Sequence, residues 1–406
     1  MKIVFVNRFF YPDHSATSQM LTDLAFHLSK SGASICHVIT SRQAYDKPGT
    51  VLASSENVGN VHVNRVWTTR FGRHNLLGRS LDYLTFYLSA GWHLLIKLNT
   101  GDVVIAKTDP PLISVVAAIA AKLRGATLVN WIQDLFPEVA DVLGVGGRGT
   151  TVAILRRLRN WSLKIAPKNV AIGEGMASRL LEDGVPSERI RVIHNWADGQ
   201  AIQPVDREKN DLRCEWNLGD KFVVGYSGNF GRAHEFGTIL SAAEILKDLS
   251  HIVFLFIGAG AQLEWMHHNV ENKRLRNVMF RPYQPRERLA MSLSVPDVHV
   301  ISLLPSLEGL IVPSKFYGIA AAGRAILYIG DKEGEIPQLI RRAHCGISVE
   351  VHDAQEAAAA IDRLARDPTV CSRLGLQARI LFDQRFEKSY AERAWQSVIA
   401  EAMQQT

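Results

Sequence analysis

Between Ser302 and Gly330 the chain reads SLLPSLEGLIVPSKFYGIAAAGRAILYIG. One loop-to-helix unit here holds a carboxylate (Glu308), Gly309, an apolar run, Pro313-Ser314-Lys315 and a small-residue segment ending at Gly323. Such a set suits a site that grips a sugar and a diphosphate together. Lys315 and the start of a helix beside Ser314 can take phosphate charge. Glu308 can accept hydrogen bonds from sugar hydroxyls. Ala320, Ala321, Ala322 and Gly323 let a helix pack closely beneath.

A second candidate is the turn after KFVVGYSG. Gly228 and Gly231 permit close backbone approach to a phosphate, and Asn229 and Arg232 sit beside them. Gly258 and Gly260 follow the apolar run FLFIG and form a similar turn. The plain alternative is that these glycines only shape turns and Arg232 is solvated. In WIQDLFPE, Gln133 can hydrogen-bond but cannot carry a proton. Asp134 beside it is either a functional carboxylate or a helix N-cap. The early loop FFYPDHSATSQM sets His14, Ser15 and Thr17 just before a helix, where backbone donors can be presented. No Asp-x-Asp and no His/Cys cluster with ligand spacing occurs, so neither metal nor cofactor is expected and protein cations must neutralise a departing diphosphate.

The elements that must position these residues alternate. KIVFVN, SICHVIT, DVVIA, TLVNWI, NVAIG and RIRVIHN read as short buried strands. Helical patterns at Gln19–Ser29, Leu112–Leu123 and Thr151–Lys164 lie between several of them, the signature of a parallel sheet with crossover helices. A polar stretch at Trp196–Asn210 interrupts the pattern, which restarts with KFVVGYSG, IVFLFIG, NVMFRPY, DVHVISL, AILYIG and GISVEV. The 406 residues accommodate two such domains. The expected fold class is α/β with two doubly wound, Rossmann-like domains. Their expected extents are residues 1–199 for the acceptor and 200–382 for the nucleotide sugar, with a helical end at 383–406. Ligands of such sheets bind at the carboxyl ends of the strands.

These motifs in this order make the chain resemble the retaining glycosyltransferases of family four, with the GT-B fold. WIQDLFPE, VIHNWAD, YSGNFG, FLFIGAG and the Pro-Ser-Lys loop carry the likeness, which spans nearly the whole chain. It is greatest to the WbuB-like branch of O-antigen, capsule and exopolysaccharide assembly. The resemblance implies a nucleotide-diphosphate sugar, UDP-linked, as donor and a polyprenyl-diphosphate-linked saccharide as acceptor. It also implies a role for Tyr283 near the base, a final helix returning to the first domain, and transfer with retained configuration. The chain departs from the family at several points. Asn229 and His234 stand where relatives carry Arg and Lys, Gln133 where many have His, and His14-Ser15 where they have Gly-Gly. Gly318 replaces the second of two family glutamates, and Glu308 lies two residues before the place of the first. Lys315 and Arg232 are therefore expected to supply the cations. Two alternatives remain: a nucleotide-sugar 2-epimerase, which shares the fold, and an inactive nucleotide-sugar-binding scaffold.

Composition narrows the setting. With 47% hydrophobic and 21% charged residues the chain is globular in type. Four dispersed cysteines give no disulfide framework, which fits a reducing cytoplasm. The amino terminus reads as a strand rather than a signal peptide. No apolar run reaches the roughly 20 residues of a membrane span. The net charge of +6 is unevenly spread: residues 1–200 hold 22 Lys and Arg against 15 Asp and Glu, and the rest is near balance. Arg70, Arg73 and Arg79 mix with Trp67, Phe71 and Leu77, as Arg156 and Arg157 do with Trp161. Such mixtures suit an anionic membrane surface, although solvated helix faces look alike. The expectation is a cytoplasmic enzyme, peripheral on the inner face of the membrane, with no nucleic-acid partner.

Overall fold

The computed structural model describes residues 1–13, 15–30, 35–44, 50–72, 76–145 and 149–404. His14 and Arg73, among the candidates above, lie outside them. Contacts divide the chain into two compact units, Met1–His194 with Ala391–Thr406, and Asn195–Tyr390.

The first unit runs β1 (Lys2–Val6), α1 (Ala16–Lys30), β2 (Ile35–Ser41), β3 (Ser55–Val58), β4 (Val61–Val66), α2 (Leu76–Lys97), β5 (Val103–Lys107), α3 (Ile113–Arg124), β6 (Thr127–Ile132), α4 (Glu138–Val142), α5 (Thr150–Ile165), β7 (Lys168–Ala171), α6 (Glu174–Glu182) and β8 (Ile190–Val192). Its sheet has the order β3-β4-β2-β1-β5-β6-β7-β8. All neighbours are parallel except β3 with β4. β5 and β6 are buried along their whole length, as expected of parallel strands covered on both faces. The β3–β4 pair is absent from the sequence reading. Its polar residues hide it: Arg65 in β4 is buried, donates to the Tyr11 carbonyl at 2.7 Å and pairs with Glu56 of β3 at 2.5 Å.

The second unit runs α7 (Asp211–Glu215), β9 (Phe222–Ser227), α8 (Gly237–Ile245), β10 (Ile252–Ile257), α9 (Leu263–Asn272), β11 (Val278–Arg281), α10 (Leu289–Ser294), β12 (Val298–Ser302), α11 (Lys315–Ala321), β13 (Ala325–Ile329), α12 (Glu335–Ala343), β14 (Gly346–Val349), α13 (Ala354–Arg366) and α14 (Pro368–Arg385). The sheet order is β11-β10-β9-β12-β13-β14, parallel throughout. Strand order reverses between β9 and β12, the place where doubly wound sheets open a crevice at their carboxyl ends. In the first unit the reversal falls between β1 and β5. Both sets of candidate residues follow these strands or their neighbours.

The end of the chain reads in sequence as one helix over Asp383–Met403. The structure has two, α14 and α15 (Lys388–Gln404). The break has a backbone cause: the Ala197 N–H donates to the Phe386 carbonyl, and Lys388 N–H donates to the Ala197 carbonyl at 3.1 Å. α15 then packs on the first unit. Trp395 is fully buried with its ring centroid 4.7 Å from that of Trp131, and Glu401 pairs with Lys168 and Arg191 at 2.8 and 2.7 Å. Truncating a buried aromatic costs about 3–5 kcal/mol. Calorimetry of Trp395→Ala should therefore show the transition of the first unit moving down by many degrees. An unshifted transition would mean that α15 contributes little to that unit.

Candidate functional site

The second-unit site begins where β9 and β10 end side by side. Gly228 N–H donates to the Ile257 carbonyl at 2.8 Å, and Phe230 N–H to the Ala259 carbonyl at 2.8 Å. The turns touch so closely that a Cβ on Gly258 would sit 2.0 Å from the Gly228 carbonyl oxygen. Gly258 and Gly228 also hold φ of 139° and 134°, values that L side chains rarely adopt. A Cβ on Gly228 would meet Lys315 Cε at 2.6 Å. The glycines thus make room for the Lys315 side chain, which enters from the first residue of α11.

Lys315 Nζ lies 3.0 Å from His234 Nε2 and 4.9 Å from the centre of the Tyr226 ring. His234 Nδ1 lies 2.6 Å from the Ser302 carbonyl at the end of β12. A carbonyl only accepts, so Nδ1 carries the proton and Nε2 accepts from the ammonium. Burial, with Lys315 adding to it, holds His234 down to about 3, so the ring is neutral. Burial also pulls the Lys315 ammonium down to about 8. Ser227, the last residue of β9, has a hydroxyl with no partner among the described residues. Tyr226 Oη donates to the Asn229 carbonyl at 2.8 Å, pinning the turn. The result is one cation on a carved backbone floor.

The other second-unit candidates fall around this floor. Asn229 and Arg232 are exposed on the turn. Gly231 follows it, and Gly260 packs so tightly that a Cβ would meet Phe230 N at 2.5 Å. Tyr283 is exposed after β11, its hydroxyl 3.5 Å from the Ala259 carbonyl. Ser314 precedes Lys315 and makes no side-chain cap. Glu308 has acquired a partner that its sequence position does not disclose. Its Oε1 accepts from Glu335 N–H at 2.7 Å, at the start of α12, and its Oε2 lies 3.5 Å from Tyr328 Oη. Burial, with Asp331 adding to it, raises its proton affinity despite these bonds. A Cβ on Gly318 would meet Leu293 Cδ1 at 3.4 Å.

In the first unit, Gln133 is buried and its N–H donates to Thr108 Oγ1 at 3.2 Å. Asp134 does not cap α4, whose N-cap is Pro137. The residue is exposed to solvent. Crowding by the protein and the Asp109 carboxylate raise its proton affinity, and the Lys107 ammonium opposes them. Lys107, which follows the run DVVIA and is not among the expected site residues, is fully buried with Nζ 3.5 Å from the centre of the Trp131 ring. Burial drives its proton affinity well down, while Asp134, Asp109 and Asp23 oppose that. Ser15 works as a helix cap: its Oγ accepts from Ser18 N–H at 3.3 Å and lies 3.5 Å from Thr17 Oγ1. His234 is the other residue whose place in the site the sequence does not disclose; there it stands only as a departure from the family's Lys. A His followed by Glu-Phe-Gly gives no hint that β12 supplies its carbonyl. Among the described residues no group of three or more His, Cys, Asp or Glu could hold a metal ion.

Comparison with known proteins fixes what carries this site. Residues 16–196 match the glycosyl transferase 4-like domain, and residues 208–380 match glycosyl transferases group 1. The chain belongs to glycosyltransferase family four. This glycosyltransferase is 28% identical to the probable glycosyltransferase WbjE of Pseudomonas aeruginosa over 73% of its own length and 74% of the relative's. It is 30% identical to the putative colanic acid biosynthesis glycosyl transferase WcaI of Escherichia coli K12 over 54% and 55% of the two chains. Sucrose-phosphate synthase of Thermosynechococcus elongatus superposes over both whole chains with a TM-score of 0.76 at 14% identity. HepE of Anabaena, solved with UDP, superposes with a TM-score of 0.73 at 15% identity over 98% of this chain and all of that one. The shared fold is GT-B, as the motifs imply.

The two glycines of the floor make a graded test. The Gly258 clash is with backbone, which cannot swing away, whereas the Gly228 clash is with the flexible end of a lysine. Both changes carry backbone strain of about 1–3 kcal/mol, and Gly258→Ala adds overpacking of about 1–3 kcal/mol. Urea unfolding should rank Gly258→Ala clearly below Gly228→Ala in stability. Equal stabilities would show that the two turns do not touch as described.

Proposed function

We propose that this glycosyltransferase moves a hexosyl or N-acetylhexosaminyl group from a UDP-linked donor to a lipid-linked saccharide. In this reading the transfer retains configuration, needs no metal, and belongs to surface-polysaccharide assembly. The observation that carries the reading is the Lys315–His234 pair on the glycine floor. A neutral acceptor behind the ammonium holds it in place without adding a second positive charge. Preorganised charge of this kind stabilises a diphosphate as it leaves. Gly228 and Gly258 let backbone N–H groups approach the same oxygens, and exposed Arg232 stands at the rim. Support also comes from relatives: HepE has been solved with UDP and with UDP-glucose, and WcaI is named for colanic acid biosynthesis.

The bond from the anomeric carbon to the diphosphate oxygen breaks, and a bond to the acceptor oxygen forms on the same face. The acceptor proton passes to the departing phosphate oxygen. Lys315 meets the growing negative charge. In this reading Glu308 orients the donor while bonded to α12, and Gln133 and Asp134 are the first unit's candidates for holding the acceptor. The first unit's basic residues Arg70, Arg79, Arg156 and Arg157, with Arg73, would meet the anionic surface on which a lipid-linked acceptor resides.

Losing one preorganised donor typically costs about 3–4 kcal/mol in a transition state. Lys315→Ala should therefore lower turnover by about a hundredfold or more while thermal unfolding stays near that of the parent. Unchanged turnover would remove Lys315 from the diphosphate. The pH dependence has a definite sign. Free Lys315 is charged below about 8 and loses its proton above it. A bound diphosphate favours the charged form, so UDP affinity should hold near pH 7 and weaken by up to about tenfold by pH 9. Arg does not deprotonate in this range, so Lys315→Arg should lose that dependence in calorimetric titration. Equal slopes in both proteins would assign the effect to the nucleotide instead.

A further inference from the structure

Helix α2 is apolar on two opposite faces. Phe86, Ala90 and Leu94 are completely buried against the core of the first unit. On the other side Leu77, Leu81, Leu84, Leu88, Trp92 and Ile96 follow one another at helical spacing and are all exposed, Leu88 by 67% and Trp92 by 64%. A soluble helix ordinarily turns charges to water at such positions. The stripe runs the length of a 22-residue helix, far beyond the scattered single apolar residues of an ordinary surface.

The neighbouring helices extend it. α3 packs against both α2 and α5. Gly91 permits the first approach, since a Cβ there would lie 2.9 Å from Val116 Cγ1. Ser114 Oγ and Ser162 Oγ, 2.9 Å apart, link α3 to α5. α3 exposes Ile119 and Leu123, and α5 exposes Ile154, Leu158 and Trp161.

The charges on the three helices are one-sided. The lone carboxylate in their sequences is Asp82, which is buried and accepts from Thr69 Oγ1, Phe71 N–H and Gly72 N–H at 2.8–3.1 Å. Arg79 and Lys97 on α2, Lys122 and Arg124 on α3, and Arg157 and Lys164 on α5 are exposed. Arg156 on α5 turns instead to Glu138 at 2.9 Å. No helix of the described residues is long and apolar enough to cross a membrane.

We propose that the α2–α3–α5 face is a monotopic docking surface for an anionic bilayer, with the α2 stripe lying in the headgroup layer and the flanking cations against lipid phosphates. An apolar face framed by Lys and Arg is what such a surface requires. A second copy fits worse, because a two-fold contact through this face would bring its unneutralised cations together. The inference rests on the reading of a lipid-linked acceptor for its purpose, and it adds the three helix faces to the basic residues around Arg70.

The test uses the full chain and vesicle sedimentation with phosphatidylglycerol–phosphatidylcholine mixtures, phosphatidylcholine alone, and no vesicles. The parent should bind the anionic vesicles and bind neutral ones at least tenfold less. Leu88→Glu/Trp92→Glu should lower anionic partition at least tenfold, with an unchanged melting temperature because both side chains are exposed. Arg79→Gln/Arg157→Gln should weaken binding less and flatten its salt dependence. Absent binding by the parent, or undiminished binding by Leu88→Glu/Trp92→Glu, would overturn the proposal. So would a parent dimer in sedimentation equilibrium that this double variant dissociates, since a second copy would then cover the face. UDP-glucose titration without vesicles is the separate control. Retained nucleotide-sugar binding with failed docking sinks this inference alone, whereas lost nucleotide-sugar binding sinks the functional reading whatever the vesicles show.

Discussion

A β-carbon at position 258 would stand 2.0 Å from the carbonyl oxygen of Gly228. The second unit's site depends on the absence of that atom. Without it the turns after β9 and β10 meet and Gly228 N–H reaches the Ile257 carbonyl, while the missing Cβ at Gly228 itself leaves room for one long side chain. Lys315 fills that room from α11, a different crossover of the same sheet. Three separate segments thus converge because strand order reverses between β9 and β12. The flanking strands are apolar and wholly or largely buried, so the floor cannot drift.

Electrostatics then selects the partner. An ammonium held among protein atoms pays for lost hydration, and a second cation beside it would raise that cost. Relatives in the wider family, by resemblance, carry Lys where this chain has His234. Here the ring is neutral, fixed by the Ser302 carbonyl, and offers Lys315 an acceptor. The Lys315–His234 pair carries one positive charge rather than two. Glu308 shows a comparable economy of placement: its carboxylate closes the start of α12 and so ties the donor loop to the next crossover.

Much of the architecture was legible in sequence because buried parallel strands are apolar runs and their crossovers have helical period. KIVFVN, DVVIA, KFVVGYSG and IVFLFIG all fall on strands. The β3–β4 hairpin escaped because β3 is four residues long and polar, and because Arg65 of β4 is buried through specific polar bonds although Val61 and Val63 beside it alternate as a half-buried strand does. The division of the last helix escaped because Ala197, far away in sequence, diverts its backbone. At the site, Lys315 and the glycines were visible as residue types in a loop. His234 and Lys107 were not, since each gains its character from groups on other strands. The face of α2 escaped for another reason. Leu84, Leu88, Trp92 and Ile96 share the period of Phe86, Ala90 and Leu94, and periodicity alone does not say which side meets the core.

The account stands on Lys315 and His234 acting as one unit, and a double-mutant cycle on UDP affinity measures that most directly. Lys315→Ala, His234→Phe and the double variant would be titrated by calorimetry at pH 7, with folding checked by circular dichroism. If His234 works only by holding the ammonium, the double variant should bind UDP about as weakly as Lys315→Ala alone, with a coupling in the 0.5–3 kcal/mol range typical of contacting residues. Losses that simply add would show two independent groups and contradict the pair as the centre of the site.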